Sequence, residues 1–247
     1  MIYVNGDSHS AGADIIPGIC FADDDPRFLA YGRRPHPEAI VETYGYKIAQ
    51  TFNQGFFCDA ESGSSNYRII RTTRDFIEQT KDTSRINIII GWTSWEREEW
   101  QDPDHRETYY QVTASGTDSV APFMQEEYKR WVIRQTPEEL KRKKEKWQKT
   151  INEFSNELTE QNINHYFFHV DDYTKYLMEQ GYRTTNGHFG ADGHTEWANY
   201  LGPHIRKAWW TGAKLQKELT ETKKRIIVNT VKQEFTGFSK DKRYFTE

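Results

Sequence analysis

The run Arg85-Ile86-Asn87-Ile88-Ile89-Ile90-Gly91 constrains this chain more than any other stretch. β-Branched residues dominate it and no polar alternation interrupts it, which is the pattern of a central strand covered on both faces. Such a strand needs helices on either side, and the flanking sequence supplies them. Ile40, Val41, Tyr44, Ile48 and Phe52 recur at helical spacing over 37–52, and Ile69, Ile70, Thr73, Phe76 and Ile77 do the same further on. Thr136-Pro137-Glu138-Glu139 reads as a helix start, with proline in the first turn and acids at the positive end of the dipole. Leu140, Trp147, Ile151, Phe154 and Leu158 then mark one stripe, and Trp197, Leu201, Ile205 and Trp209 mark another. Additional strands are read at 1–5, 55–60 and 163–170. Strands that alternate with helices in this way predict an α/β fold, a doubly wound and mostly parallel sheet with helices on both faces.

A chain of 247 residues suits one large domain, or one domain with insertions, and can bury a sizeable core. Its hydrophobic fraction of 36% is low while aromatics reach 15%, so the core is expected to be built from few, large side chains. Lysine plus arginine number 33 against 37 acidic residues, a net charge of -4, which gives no global reason to expect a nucleic acid or an anionic membrane as partner. Cys20 and Cys58 are too few for a disulfide framework and are expected to be reduced, structural thiols. Neither a charged leader followed by an apolar run nor a stretch of 18 apolar residues is present, so the expectation is a soluble protein without a membrane span, cytoplasmic by default.

Three strand ends carry hydroxyls and small residues. The first strand stops in Gly6-Asp7-Ser8, where a sharp turn can stand a serine hydroxyl at the carboxyl end of the sheet, the edge at which open α/β sheets bind ligands. Asp7, Ser8 and Ser10 also suit a plain helix cap, and the turn alone does not separate cap from nucleophile. The second strand ends in Glu61-Ser62-Gly63-Ser64-Ser65-Asn66, with Ser64 or Ser65 a credible cap and with backbone N–H groups able to receive an anion or a developing oxyanion. The third ends in Gly91-Trp92-Thr93-Ser94-Trp95-Glu96-Arg97. His188 and His194 lie in Asn186-Gly187-His188-Phe189-Gly190-Ala191-Asp192-Gly193-His194, a loop before the last helix from which they can reach the same edge. His165 and His169 sit on a strand and are read as structural.

Residues 11–37 form a long loop whose acidic cluster, with Asp14, lacks the glycine and terminal glutamate of a calcium site and reads as solvated. Residues 98–136, with aromatics spread among charges, read as an insertion over the site, either a lid, an oligomer contact or a peripheral excursion. The lysine-rich run 141–149 reads as a solvated face. Beyond Trp210 the tail carries nine Lys or Arg against five Asp or Glu and includes the apolar cluster Ile226-Ile227-Val228. The domain reading is therefore an α/β domain over 1–210 and a basic extension over 211–247.

With Ser8 in Gly-Asp-Ser, Gly63 in Gly-Ser-Ser-Asn, Gly91 closing a central strand, and His188 six residues before His194, the chain resembles the SGNH or GDSL hydrolase family over most of residues 1–210. The resemblance implies a flavodoxin-like three-layer α/β/α sandwich and hydrolysis of esters, including lipid esters and O-acetyl groups on carbohydrates, with no cofactor and no metal. Residue by residue, it implies Ser8 as nucleophile and, with Gly63, as a backbone donor of the oxyanion hole, and His188 rather than His194 as general base. Two positions depart from the family pattern. Thr93 and Ser94 stand where an Asn-Asp pair is usual, so Asn66 or the Thr93 hydroxyl is expected to fill the missing donor position. Thr185 stands where the family has aspartate, so Thr185, Asp192 or a backbone carbonyl is expected to orient the imidazole. The pairing of Gly-Ser-Ser-Asn with Gly-Trp-Thr-Ser-Trp-Glu-Arg is similar to divergent members encoded by tailed bacteriophages, which implies a host glycan or other acylated polymer as substrate and association with a virion or host cell. Rival readings are a catalytically silent glycan-binding or virion assembly module, homo-oligomeric or not, and a flavodoxin-like nucleotide binder, which lacks a phosphate-binding glycine loop. A metal hydrolase built on His188, Asp192 and His194 lacks a second ligand cluster.

Overall fold

The computed structural model describes residues 1–15, 35–114 and 120–217, with side chains described to residue 209. Cys20, Gly116, the cluster Asp23-Asp24-Asp25-Pro26 and the tail cluster Ile226-Ile227-Val228 lie outside the described residues. Four parallel strands, β1 (Ile2–Asn5), β2 (Phe56–Cys58), β3 (Asn87–Trp92) and β6 (Asn164–His169), form the central sheet in the order β2-β1-β3-β6. All six residues of β3 are buried, as the isoleucine run requires of a central strand.

Side-chain alternation along the strands divides the core into two. Ile2, Val4, Ile89, Tyr166 and Phe168 point to one face. There they meet Tyr44 and Ile48 of α3 (Tyr44–Thr51), Tyr173 and Leu177 of α7 (Val170–Glu179), and Trp197, Leu201 and Ile205 of α8 (Ala191–Lys217). Tyr3, Ile88, Ile90 and Trp92 point to the other face, onto Ile69, Ile70 and Ile77 of α4 (Asn66–Gln79) and Trp147, Ile151, Phe154 and Leu158 of α6 (Pro137–Glu160). The result is three layers, helix on sheet on helix, around few and large side chains. Burying each of these contributes on the order of 1.5–3 kcal/mol.

The chain runs from β1 outward to β2 and then back past β1 to β3, so the strand order reverses between β1 and β3. A crevice opens at the carboxyl ends on either side of such a reversal. This is where the Gly-Asp-Ser and Gly-Trp-Thr segments emerge.

One local expectation is corrected. The helix expected over 37–52 is two helices, α2 (Pro37–Ile40) and α3, because Thr43 adopts extended backbone and caps α3 by accepting from the Tyr46 N–H at 3.4 Å. Val41, expected on the buried stripe, is consequently exposed. The 98–136 insertion, whose internal structure the sequence left open, holds regular elements. β4 (Glu98–Gln101) and β5 (Tyr109–Val112) pair as an antiparallel hairpin, and α5 (Gln125–Ile133) packs on it through a separate core of Val112, Val120, Met124, Tyr128 and Trp131. A bidentate ion pair from Arg71 of α4 to Glu99, at 2.7 and 3.0 Å, fastens this unit to the sheet domain. No helix among the described residues is long and apolar enough to cross a membrane.

Burial holds two core histidines uncharged: desolvation pushes His165 down to about 4 and His194 down to about 3. In the unfolded chain both titrate near 6.5. The unfolded state therefore binds more protons than the native state as pH falls below about 6.5, and stability, complete above that value, is lost progressively toward pH 4. We expect the denaturation midpoint to fall over this window, and His194→Asn, which keeps an acceptor for the Tyr44 N–H, to flatten the slope. A midpoint unchanged between pH 7 and pH 4.5 contradicts this.

Candidate functional site

Chain geometry at the end of β1 follows from crowding. Gly6 and Gly91 approach each other around Ser10: a Cβ on Gly6 overlaps the Ser10 hydroxyl and lies 2.7 Å from Ser10 Cβ and 2.9 Å from the Gly91 carbonyl oxygen. Only glycine fits. The turn delivers Asp7 to the N-cap position of α1 (Ser8–Ala11), where its Oδ1 accepts from the His9 N–H at 3.0 Å. The cap reading of Asp7 and a reactive Ser8 are thus compatible, because the cap fixes the residue directly before the serine.

Ser8 is buried, and its Oγ lies 2.8 Å from His188 Nε2. On the other side of the ring, His188 Nδ1 lies 2.8 Å from Asp14 Oδ2. Asp14 as a carboxylate can only accept, so Nδ1 carries the proton and Nε2 is left to accept from the Ser8 hydroxyl. Serine, imidazole and carboxylate stand in line.

His188 and the carboxylate behind it both arrive on left-handed turns. Asp14 has φ +57° in the turn closed by the Ile15 N–H on the Gly12 carbonyl, with Gly12 at φ +76°. Aspartate tolerates this conformation better than most residues, and non-glycine positions of this kind concentrate at functional sites. His188 begins β8 (His188–Phe189), which pairs with β7 (Thr184–Thr185) across Asn186 at φ +50° and Gly187 at φ +87°. Asn-Gly is the preferred pair for this two-residue hairpin turn.

The structure corrects the expectation for the acid behind the histidine. Thr185 is exposed and stands opposite His188 in the hairpin, while Asp192 accepts from the Gly193 N–H at 2.8 Å. Neither contacts the imidazole, and Asp14 takes the position instead. Sequence reasoning passed over Asp14 because nothing local separates it from the other aspartates of that loop; its spacing of six from Ser8 carries no motif. His194 lies buried, accepting the Tyr44 N–H at 3.2 Å.

Gly63 has φ +80° in a turn closed by the Ser64 N–H on the Glu61 carbonyl, and the Glu61 N–H donates to Gly6, joining this loop to the serine turn. Ser65 caps α4, accepting from the Arg68 N–H at 3.2 Å, and its own N–H donates to Gln111 of the insertion at 2.9 Å. Ser8 is the first residue of α1, so its N–H has no acceptor within that helix. Asn66 is a strut: its Oδ1 accepts from the Thr93 N–H at 3.0 Å and its Nδ2 donates to the Thr93 carbonyl at 3.1 Å. The Thr93 hydroxyl donates to Asp7 Oδ2 at 2.6 Å, which removes it from the donors expected to face an oxyanion.

Burial pushes the Asp7 carboxyl up, but the charges of His9 and Arg97 and hydrogen bonds from Thr93 and the His9 N–H outweigh it, and the net shift is downward. His9 itself is pushed down by desolvation. Arg97 is therefore the standing countercharge at neutral pH. His169, read as structural, also reaches this network. Its Nδ1 accepts from the Asp171 N–H, leaving Nε2–H to donate to the Thr93 carbonyl at 3.0 Å, with Trp95 stacked on the ring at 4.0 Å. Among the described residues no group of three His, Cys, Asp or Glu side chains is arranged to hold a metal ion. Comparisons with known protein families, curated proteins and solved structures give no match.

Gly6→Ala is expected to destabilise the fold by about 1–3 kcal/mol through overpacking against Ser10 and Gly91. Chemical denaturation checks this, and an unchanged midpoint contradicts it.

Proposed function

We propose that this protein is a serine ester hydrolase of the SGNH type with a flavodoxin-like fold, in which Ser8, His188 and Asp14 act as the catalytic triad. The observation that carries the reading is the unbroken hydrogen-bonded chain from Ser8 Oγ through both nitrogens of His188 to Asp14, each link 2.8 Å. A serine that merely capped a helix has no need of an imidazole backed by a nearly buried carboxylate.

In the proposed reaction, Ser8 Oγ attacks the ester carbonyl while His188 Nε2 takes its proton. Asp14 fixes the tautomer and stabilises the imidazolium. The backbone N–H groups of Ser8 and Gly63 receive the oxyanion, with Asn66 holding the Thr93 backbone rather than donating. The imidazolium then protonates the departing alcohol. Water, deprotonated by the same histidine, releases the acyl group from Ser8. An ester or O-acetyl group on a carbohydrate is the substrate class that the family resemblance suggests.

The reading as a catalytically silent binding or assembly module draws on one observation, the Thr93 hydroxyl turned to Asp7 rather than toward the serine. The complete triad weighs against it.

Hydrolysis of short-chain aryl esters tests the proposal. Ser8→Ala and His188→Ala are expected to abolish turnover, and Asp14→Asn to lower kcat by about 100- to 10,000-fold while leaving the fold intact. Turnover indifferent to Ser8→Ala, or full activity in Asp14→Asn, overturns the assignment. No turnover in the wild type on any ester tried favours the silent module.

A further inference from the structure

Arg97 closes the segment Gly91-Trp92-Thr93-Ser94-Trp95-Glu96-Arg97 and takes no part in the triad. A single nitrogen of its guanidinium, Nη1, lies 3.3 Å from Asp7 Oδ2 and 3.3 Å from the Ser64 carbonyl oxygen. Asp7 directly precedes Ser8, and Ser64 directly follows Gly63. One cation thereby spans the two loops proposed to supply the oxyanion donors. The Asp7 side chain is only 3% exposed, so its charge has little water to screen it and depends on Arg97 and the Thr93 hydroxyl.

We propose that Arg97 is a positioning residue for the oxyanion hole: it ties the serine turn to the glycine turn and neutralises a buried carboxylate that otherwise opposes the negative charge forming beside Ser8. The inference rests on the hydrolase reading for its catalytic consequence, but the Arg97–Asp7 lock itself does not. Thr93 stands where the family resemblance places an asparagine donor, and its hydroxyl serves Asp7. This chain thus lacks one direct donor, and the lock compensates by holding the two backbone donors at a fixed separation. Charge near a developing oxyanion acts strongly in a site that excludes water.

The distinguishing signature is rescue by removing the opposing charge. Arg97→Ala is expected to lower kcat about 10- to 100-fold with KM little changed, since the interaction matters only as charge develops. Asp7→Asn keeps the cap on α1 and removes the charge, so Asp7→Asn/Arg97→Ala is expected to recover kcat to within a few-fold of Asp7→Asn alone. Arg97→Lys, which keeps the charge on a shorter side chain, should fall between wild type and Arg97→Ala. A double variant as slow as the product of the two single losses, or an Arg97→Ala enzyme with unchanged kcat, overturns the catalytic role. The same four proteins (wild type, both singles and the double) are compared by chemical denaturation. The lock predicts a lower midpoint in Arg97→Ala that the double variant regains, and additive losses contradict it. If the wild type hydrolyses no ester, the hydrolase reading fails, while the denaturation cycle still decides whether Arg97 and Asp7 are coupled.

Discussion

The buried carboxylate of Asp7 is the point on which the site depends. One oxygen caps the single turn that begins at Ser8, and the other receives the Thr93 hydroxyl and the Arg97 guanidinium. Three separate stretches of chain, from the ends of β1, β2 and β3, are bound together around it, because Arg97 also holds the Ser64 carbonyl and Asn66 clasps the Thr93 backbone. A buried charge is tolerable only when it is fully hydrogen-bonded and countered. Here that requirement fixes the relative positions of the serine and glycine turns, so the electrostatic demand of one residue becomes the geometry of its neighbours.

The sheet supplies the rigid frame for this arrangement. Tyr3, Ile88 and Ile90 are locked against helices on one face, and Ile2, Val4 and Ile89 on the other, so the strands end at fixed heights. Loops emerging from such strands inherit their precision. His188 and Asp14, by contrast, are held on short left-handed turns outside the central sheet; His188 reaches Ser8 across 180 positions of sequence and Asp14 reaches His188 across 174. Hydrogen bonds at both imidazole nitrogens, with the His9 ring 4.9 Å away, hold the ring in one orientation.

Much of this was legible in the residues. The isoleucine run of β3 and the helical stripes of α4 and α6 state their burial directly, because side-chain period reports which face meets the core. Ser8 and Gly63 follow the ends of strands and His188 follows a tight turn, so placement as well as residue type singled them out. Asp14 was not legible: its role comes from a tertiary meeting 174 positions away in sequence, and a lone aspartate in an acidic loop carries no local signal. The expectation for Thr93 failed for a related reason. A hydroxyl has one proton, and only the three-dimensional surroundings reveal that Asp7 receives it. The hairpin carrying His188 was readable in principle from Asn186-Gly187, whose preference for paired left-handed residues marks a two-residue turn. The β4–β5 hairpin of the insertion has a turn cue in Asp102-Pro103-Asp104, but its strands hold mixed polar and aromatic residues without clear alternation and pack on a small local core.

The most direct test of the central claim, that His188 and Asp14 activate Ser8, is covalent labelling with a fluorophosphonate followed by mass spectrometry of the modified peptide. Such a probe reports an activated serine whatever the natural substrate. A Ser8–His188–Asp14 triad requires one adduct per chain, on Ser8, formed far more slowly in Asp14→Asn and not at all in His188→Ala. Absence of an adduct on the folded wild type, or labelling at Ser8 that ignores both substitutions, contradicts it.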